Sequence, residues 1–208
     1  MNWRKYSKGL FIACAVVLAS CYPEGAEFYS DTDVVFTNYV EGYDFASKGT
    51  YAIPDQIVKI TGSVVTGDPA EFVPVLVAGP LLARIEQNMN AMGYTKVDID
   101  SDPDLILAPA AIESTTIVYW YDYWWWYWGS YYPGWGYPWY PYYPSYTTYS
   151  TGTLIMNLID PSKESADGNP ISQWTGAIAG MLSYSYDASR SNKLIDQAFT
   201  QSPYLKTN

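Results

Sequence analysis

The chain has 208 residues with 21 acidic against 11 basic side chains, a formal net charge of −10. That sign removes any long-range attraction to nucleic acid or to anionic headgroups. Histidine is absent, which excludes Ser-His-Asp and Cys-His catalysis and the commonest zinc ligand.

The first segment reads as a secretory signal. Arg4, Lys5 and Lys8 precede an apolar stretch from Gly9 to Leu18, closed by Leu18-Ala19-Ser20-Cys21. A basic region, a short apolar region and small residues before a cut site make up such a signal. A cysteine directly after the small pair is the bacterial lipobox pattern. It predicts cleavage between Ser20 and Cys21, then acylation of Cys21 on sulfur and on its new amine. The apolar stretch is too short for a transmembrane anchor, which takes ~20 residues. Two or three acyl chains would hold the protein on a bilayer firmly, at ~0.8 kcal/mol per buried methylene. Tyr22 is not the aspartate associated with inner-membrane retention, so the expected location is the cell envelope, at the outer membrane. Removing residues 1–20 leaves eight basic residues against 21 acidic, a mature charge of −13. Cys14 leaves with the signal and Cys21 carries lipid, so the mature chain can form no disulfide.

Residues 22–33 hold a proline, a glycine and four carboxylates and read as a tether. Val34–Tyr39 is β-branched and aromatic, a predicted strand that opens the domain at 34–205. Thr50–Ile53, ahead of Pro54, and Ile57–Thr61 predict one or two further short strands. A helix follows, with Pro80 in its first turn, Leu82, Ile85, Met89 and Met92 at helical spacing, and Gly93 as a left-handed stop. Residues 71–79 could lengthen it, against Pro74 and Gly79. Leu105–Ala108 opens a β-rich stretch that runs through Ile112 and Thr115–Tyr119. Gly152–Ile159 reads as its antiparallel return, and Asp160-Pro161-Ser162 as the next turn. In Ile171–Leu182, an extended chain places Trp174, Ile178 and Leu182 on one face. The last element is a helix capped by Asp187 or Ser189, with Leu194, Ile195, Ala198 and Phe199 as its buried stripe. The order β-β-α-β-β-β-α predicts an α+β fold: a mostly antiparallel sheet with two helices packed on one face, and a long aromatic-rich hairpin loop.

That loop, residues 119–149, holds seven of the nine tryptophans and 12 of the 22 tyrosines, with Asp122 its only charge. Prolines and glycines would leave backbone groups unpaired in lipid, so it cannot be a membrane span. Four readings stay open. The rings could pack on each other and on the sheet, since Tyr and Trp bury area while keeping a polar tip. They could anchor a partner protein of the envelope, with Tyr121, Trp124, Trp125, Trp126, Trp128, Trp135 and Trp139 as contact residues. They could dock at the bilayer interface, or stack on a glycan such as peptidoglycan. Asp122 is the only carboxylate within the tract, and sugar sites normally add several.

Other constellations are weaker. Asp98, Asp100, Asp102 and Asp104 alternate like a calcium loop, but Pro103 stands where that loop needs glycine and Pro109 where it needs glutamate. Glu113 and Asp122 have no spacing that fixes a glycosidase geometry. No phosphate loop or nucleophile elbow is present. The expectation is a non-enzymatic protein without cofactor or metal.

Several short motifs occur together. Tyr43-Asp44-Phe45 is followed by Thr50-Tyr51-Ala52-Ile53-Pro54-Asp55, then by Met92-Gly93-Tyr94, Asp102-Pro103-Asp104-Leu105 and Asp196-Gln197-Ala198-Phe199. In this order, ahead of an aromatic insertion, they resemble the DUF4136 lipoproteins, a family of unknown function. Gly49 departs slightly from the family pattern. The resemblance implies a compact α+β envelope lipoprotein and recasts Pro103-Asp104-Leu105 as a strand entry. It brings no active-site residues.

Overall fold

The computed structural model describes residues 34–60, 70–112, 152–164, 170–182 and 186–207. Two helices and eight strands make an α+β fold on one sheet. The strands are β1 Val34–Tyr39, β2 Thr50–Ala52, β3 Val58–Ile60, β4 Glu71–Phe72, β5 Thr95–Lys96, β6 Leu105–Ile112, β7 Thr153–Glu164 and β8 Pro170–Ala179. The helices are α1 Val75–Ala91 and α2 Ala188–Thr200.

The order across the sheet is β1-β8-β7-β6, and the far edge of β6 takes β2 at its start and β3 at its end. The segment 50–60 is one broken strand. Ala52 pairs with Ile106 and Val58 with Ala110, so the residues around Pro54 bulge out of the ladder. Proline has no N–H to donate, which breaks the strand there.

The sheet is mixed, with its long pairings antiparallel and its short ones largely parallel. Four pairings are antiparallel and three, β2 with β5 and β6 and β3 with β6, are parallel. The reason is α1, which lies between segment 50–60 and β6. A crossover helix returns the chain in the same direction, as parallel strands require. The two-residue strands β4 and β5 extend the predicted order.

α1 begins earlier than the apolar spacing suggests. Pro74 is its N-cap and Pro80 lies inside it rather than in its first turn. The bond that Pro80 cannot make would go to Leu76, on an open stretch where Val75 and Leu76 are 76% and 87% exposed. Gly93 stops the helix at φ +100° as read from the sequence. The expected turn at Asp160-Pro161-Ser162 does not reverse the chain. β7 runs on to Glu164 with a register shift after Ile159, because Pro161 forces a bulge instead.

Leu81, Leu82, Ile85 and Met89 of α1 and Leu194, Ile195, Ala198 and Phe199 of α2 meet Leu105, Leu107, Leu154, Met156, Leu158, Trp174 and Ile178 in one core. The sheet residues in it alternate along each strand, so both helices cover one face. Trp174 is fully buried; its ring stands 5.4 Å from Phe199 and its Nε1–H donates to Ser202 Oγ at 2.9 Å. The opposite face is buried too, at Ala110, Ile155 and Ala177, and carries a hydrogen bond from Thr175 Oγ1 to Asn157 Oδ1.

Candidate functional site

Ser20, Cys21 and the contact residues Tyr121, Trp124, Trp125, Trp126, Trp128, Trp135 and Trp139 lie outside the described residues, as do Thr115–Tyr119, Glu113 and Asp122. The structure does fix where the aromatic tract is rooted. Ile112 pairs with Thr153, and Gly152 N donates to Ile112 O at 2.8 Å with Gly152 at φ +79°. The tract therefore leaves and re-enters through adjacent ends of the central antiparallel pair. One row across the sheet then reads Val34, Ala179, Thr153, Ile112 and Ile60. The chain thus enters the domain at the same sheet end from which the tract departs.

A cavity of about 500 Å³ opens at that end, between β3, β4, the start of α1, Gly152 and Tyr186. Its size falls within the ~300–1,000 Å³ of small-molecule sites. Phe72, Val73, Val77, Ile112 and Leu182 make it mostly apolar. Lys59 and Glu71 face each other across β3 and β4 with Nζ and Oε2 3.8 Å apart. The buried Tyr186 hydroxyl has no hydrogen-bond partner among the described residues, and burial followed by the Asp187 charge raises its pKa. The cavity suits a small apolar group carrying one hydrogen-bond acceptor.

Two heavily hydrogen-bonded carboxylates stand at the other end of the sheet. Asp160, 1% exposed at its side chain, accepts from Tyr43 Oη at 2.6 Å and Lys48 Nζ at 2.8 Å on Oδ2. Its Oδ1 accepts from Ser162 N at 2.8 Å and Ser162 Oγ at 2.6 Å. Burial pulls its pKa upward, but the hydrogen bonds from Lys48, Ser162 and Tyr43 outweigh that and hold it down at about 2. Burial and then the bond to Asp160 push the Tyr43 hydroxyl well above its ordinary range. A carboxylate with every oxygen engaged and a depressed pKa is a poor proton acceptor; it suits fastening segment 40–49 to β7.

Asp104 does similar work one strand away. Its Oδ2 accepts from Gly49 N, Thr50 N and Thr50 Oγ1, each at 2.9 Å, and its own N–H donates back to Thr50 Oγ1 at 2.9 Å. The backbone bond from Gly49 is the largest cause lowering its pKa. The acidic run is therefore a strand entry, with Asp102 in the left-handed region at φ 53°. Among the described residues no three carboxylates, cysteines or histidines converge as a metal site would need. Between the helices, Arg84 Nε donates to Asp196 Oδ1 at 2.6 Å, Arg84 Nη2 grips Oδ2, and Asn88 Nδ2 adds a bond at 2.9 Å.

Tyr43, Thr50, Asp104 and Asp196, four of the polar residues of the short motifs, each fasten one element to another. Fold and fastenings define an α+β domain with a mixed open sheet and an aromatic insertion at one sheet end. The model of the family described as a domain of unknown function, DUF4136, matches residues 35–204, and the chain belongs to that family. It is similar to the crystal structure of a DUF4136 family protein from Bacteroides thetaiotaomicron, at 26% identity and a TM-score of 0.60, covering 84% of this chain and 97% of that one. Fainter likenesses are to the PelC dodecamer of Paraburkholderia phytofirmans (12% identity, TM-score 0.42, 85% and 98% covered) and a PDZ domain protein of Parabacteroides distasonis (16%, 0.37, 83% and 35%). Likenesses that faint say nothing of function. No curated protein matches the chain.

Proposed function

We propose that this is a lipid-anchored protein of the cell envelope, held through Cys21 at the outer membrane, which works without catalysis by presenting its aromatic tract to a partner protein. The observation that carries the reading is the root of the tract. It departs between Ile112 and Thr153, at the sheet end where Val34 admits the chain from the tether. The segment that follows Cys21 and the tract thus join the domain at one sheet end. Asp160 and Asp104, each holding three or more hydrogen bonds, are spent on fastenings at the far end, which favours a scaffold over an acid–base site.

The anchor is tested with labelled palmitate. The wild-type chain should take up label and fractionate with outer membranes, and Cys21→Ser should lose both. Label on the Cys21→Ser chain would overturn the assignment. For the tract, tryptophan emission of the purified chain should shift to the blue with an envelope partner. Saturable quenching by peptidoglycan fragments or other oligosaccharides would favour a glycan-binding module instead. One observation favours another reading, in which the rings cover the sheet itself: the face turned from the helices is buried at Ala110 and Ile155. In that case the emission is already blue and none of these ligands moves it.

A further inference from the structure

The outer edge of β1 is the least protected stretch of the described chain. β1 ends the sheet order, paired with β8 on one side and with no strand on the other among the described residues. Six large apolar residues stand exposed among the described residues, and four of them, Val34, Phe36, Tyr39 and Val40, lie here. Edge strands are usually blunted by lysine, proline or a bulge. Val-Val-Phe-Thr-Asn-Tyr-Val, residues 34–40, has no such device and no charge, in a chain of net charge −10.

The register fixes which backbone groups point outward. Val40 N donates to Gln173 O at 2.9 Å, continuing the register in which Tyr39 faces Trp174. In an antiparallel pair, alternate residues turn both N–H and C=O to the same side. Val34, Phe36, Asn38 and the Val40 N–H therefore face β8, with the Val40 carbonyl accepting from Tyr43 N at 3.2 Å, while Val35, Thr37 and Tyr39 turn their N–H and C=O outward. Those three positions are symmetric about Thr37.

We propose that a second copy of the chain pairs along this edge, β1 antiparallel to β1, about a two-fold axis through Thr37. Thr37 then faces Thr37 of the second copy, and Val35 faces Tyr39 in both directions, forming about six new backbone hydrogen bonds. Phe36 lies beside Asn38 of the second copy, and Val34 beside Val40, which covers the exposed apolar side chains. Because the axis is perpendicular to the sheet, each face continues unbroken into the second copy, an isologous contact. The lack of charge argues for self-pairing: elsewhere two strongly acidic chains would bring carboxylates together. Asp33 and Glu41 bound the segment, so a longer ribbon would oppose carboxylates, and added salt strengthens the association.

The test uses the full chain in neutral detergent and in its own envelope. Sedimentation should show a concentration-dependent monomer–dimer equilibrium that tightens with salt. Thr37→Pro removes an outward N–H and spares the β8 ladder, so it should weaken dimerisation roughly tenfold or more while leaving the melting transition in place. In the envelope, Thr37→Cys should be joined to itself by a short bis-maleimide, with the exposed Asn90→Cys and the wild-type chain as negative controls. Should Thr37→Pro fail to fold, the cross-link decides. A chain monomeric at every concentration, a dimer indifferent to Thr37→Pro, or Thr37→Cys linked only to a different protein would overturn the proposal.

Discussion

Asp160 shows how much a single carboxylate can organise. Its folded pKa, about 2, lies below the ordinary 3.8, so the group binds its proton more readily when unfolded. It therefore contributes stability that is present above about pH 4 and is lost as pH falls through 4 towards 2. Asp104 and Asp196 are depressed as well and act with the same sign. Asp160→Asn should cost about 2 kcal/mol at neutral pH in denaturant unfolding and flatten the acid limb of the stability curve; an unchanged acid limb would assign that limb to other carboxylates. The buried hydroxyls of Tyr51 and Tyr94 are the converse case. They have no hydrogen-bond partner among the described residues, and burial raises both pKa values. Their rings meet edge to face at a centroid distance of 6.4 Å. Tyr51→Phe and Tyr94→Phe keep that contact and should be neutral or stabilising by up to about 1 kcal/mol in thermal unfolding. A clear loss from either would mean the hydroxyl has a partner after all.

Among the elements, β8 leaves little room at its glycine. A Cβ at Gly176 would lie 2.7 Å from the buried Trp174 ring and 3.0 Å from Met156. Gly176→Ala should therefore cost about 1–3 kcal/mol and disturb the near-ultraviolet signal of Trp174. α2 depends on its cap, where Asp187 accepts from Ser189 N at 2.8 Å and Arg190 N at 3.1 Å. Loss of that cap in Asp187→Ala should cost about 1 kcal/mol. These elements also show what the sequence reveals. β1, α2 with its stripe, and the Gly93 stop are legible because periodicity and capping are local signals. The parallel pairing of segment 50–60 with β6 is not, since it follows from where α1 returns the chain. Two-residue strands such as β5 carry too few residues for any pattern. Proline misleads in both directions: Pro161 bulges β7 instead of turning it, and Pro80 sits within α1.

Taken whole, the molecule has a fastened end and an end from which its longest insertion springs. The fastenings join residues far apart in sequence, Tyr43 with Asp160, Thr50 with Asp104 and Arg84 with Asp196. No single-sequence pattern announces such partners, although each belongs to, or grips, one of the short motifs that resemble the family. Those motifs are legible because they specify this fold, and for the same reason they are silent about chemistry. The functional reading therefore rests on the aromatic tract and the anchor. The most direct measurement places a photo-cross-linking residue at Trp128 or Trp135 of the full chain in its native envelope and identifies what each captures. Adducts with one envelope protein, formed from both positions and absent when the cross-linking residue stands instead at the exposed Asn90, are the expected result. Adducts confined to the chain's own sheet would contradict it and make the tract part of the fold.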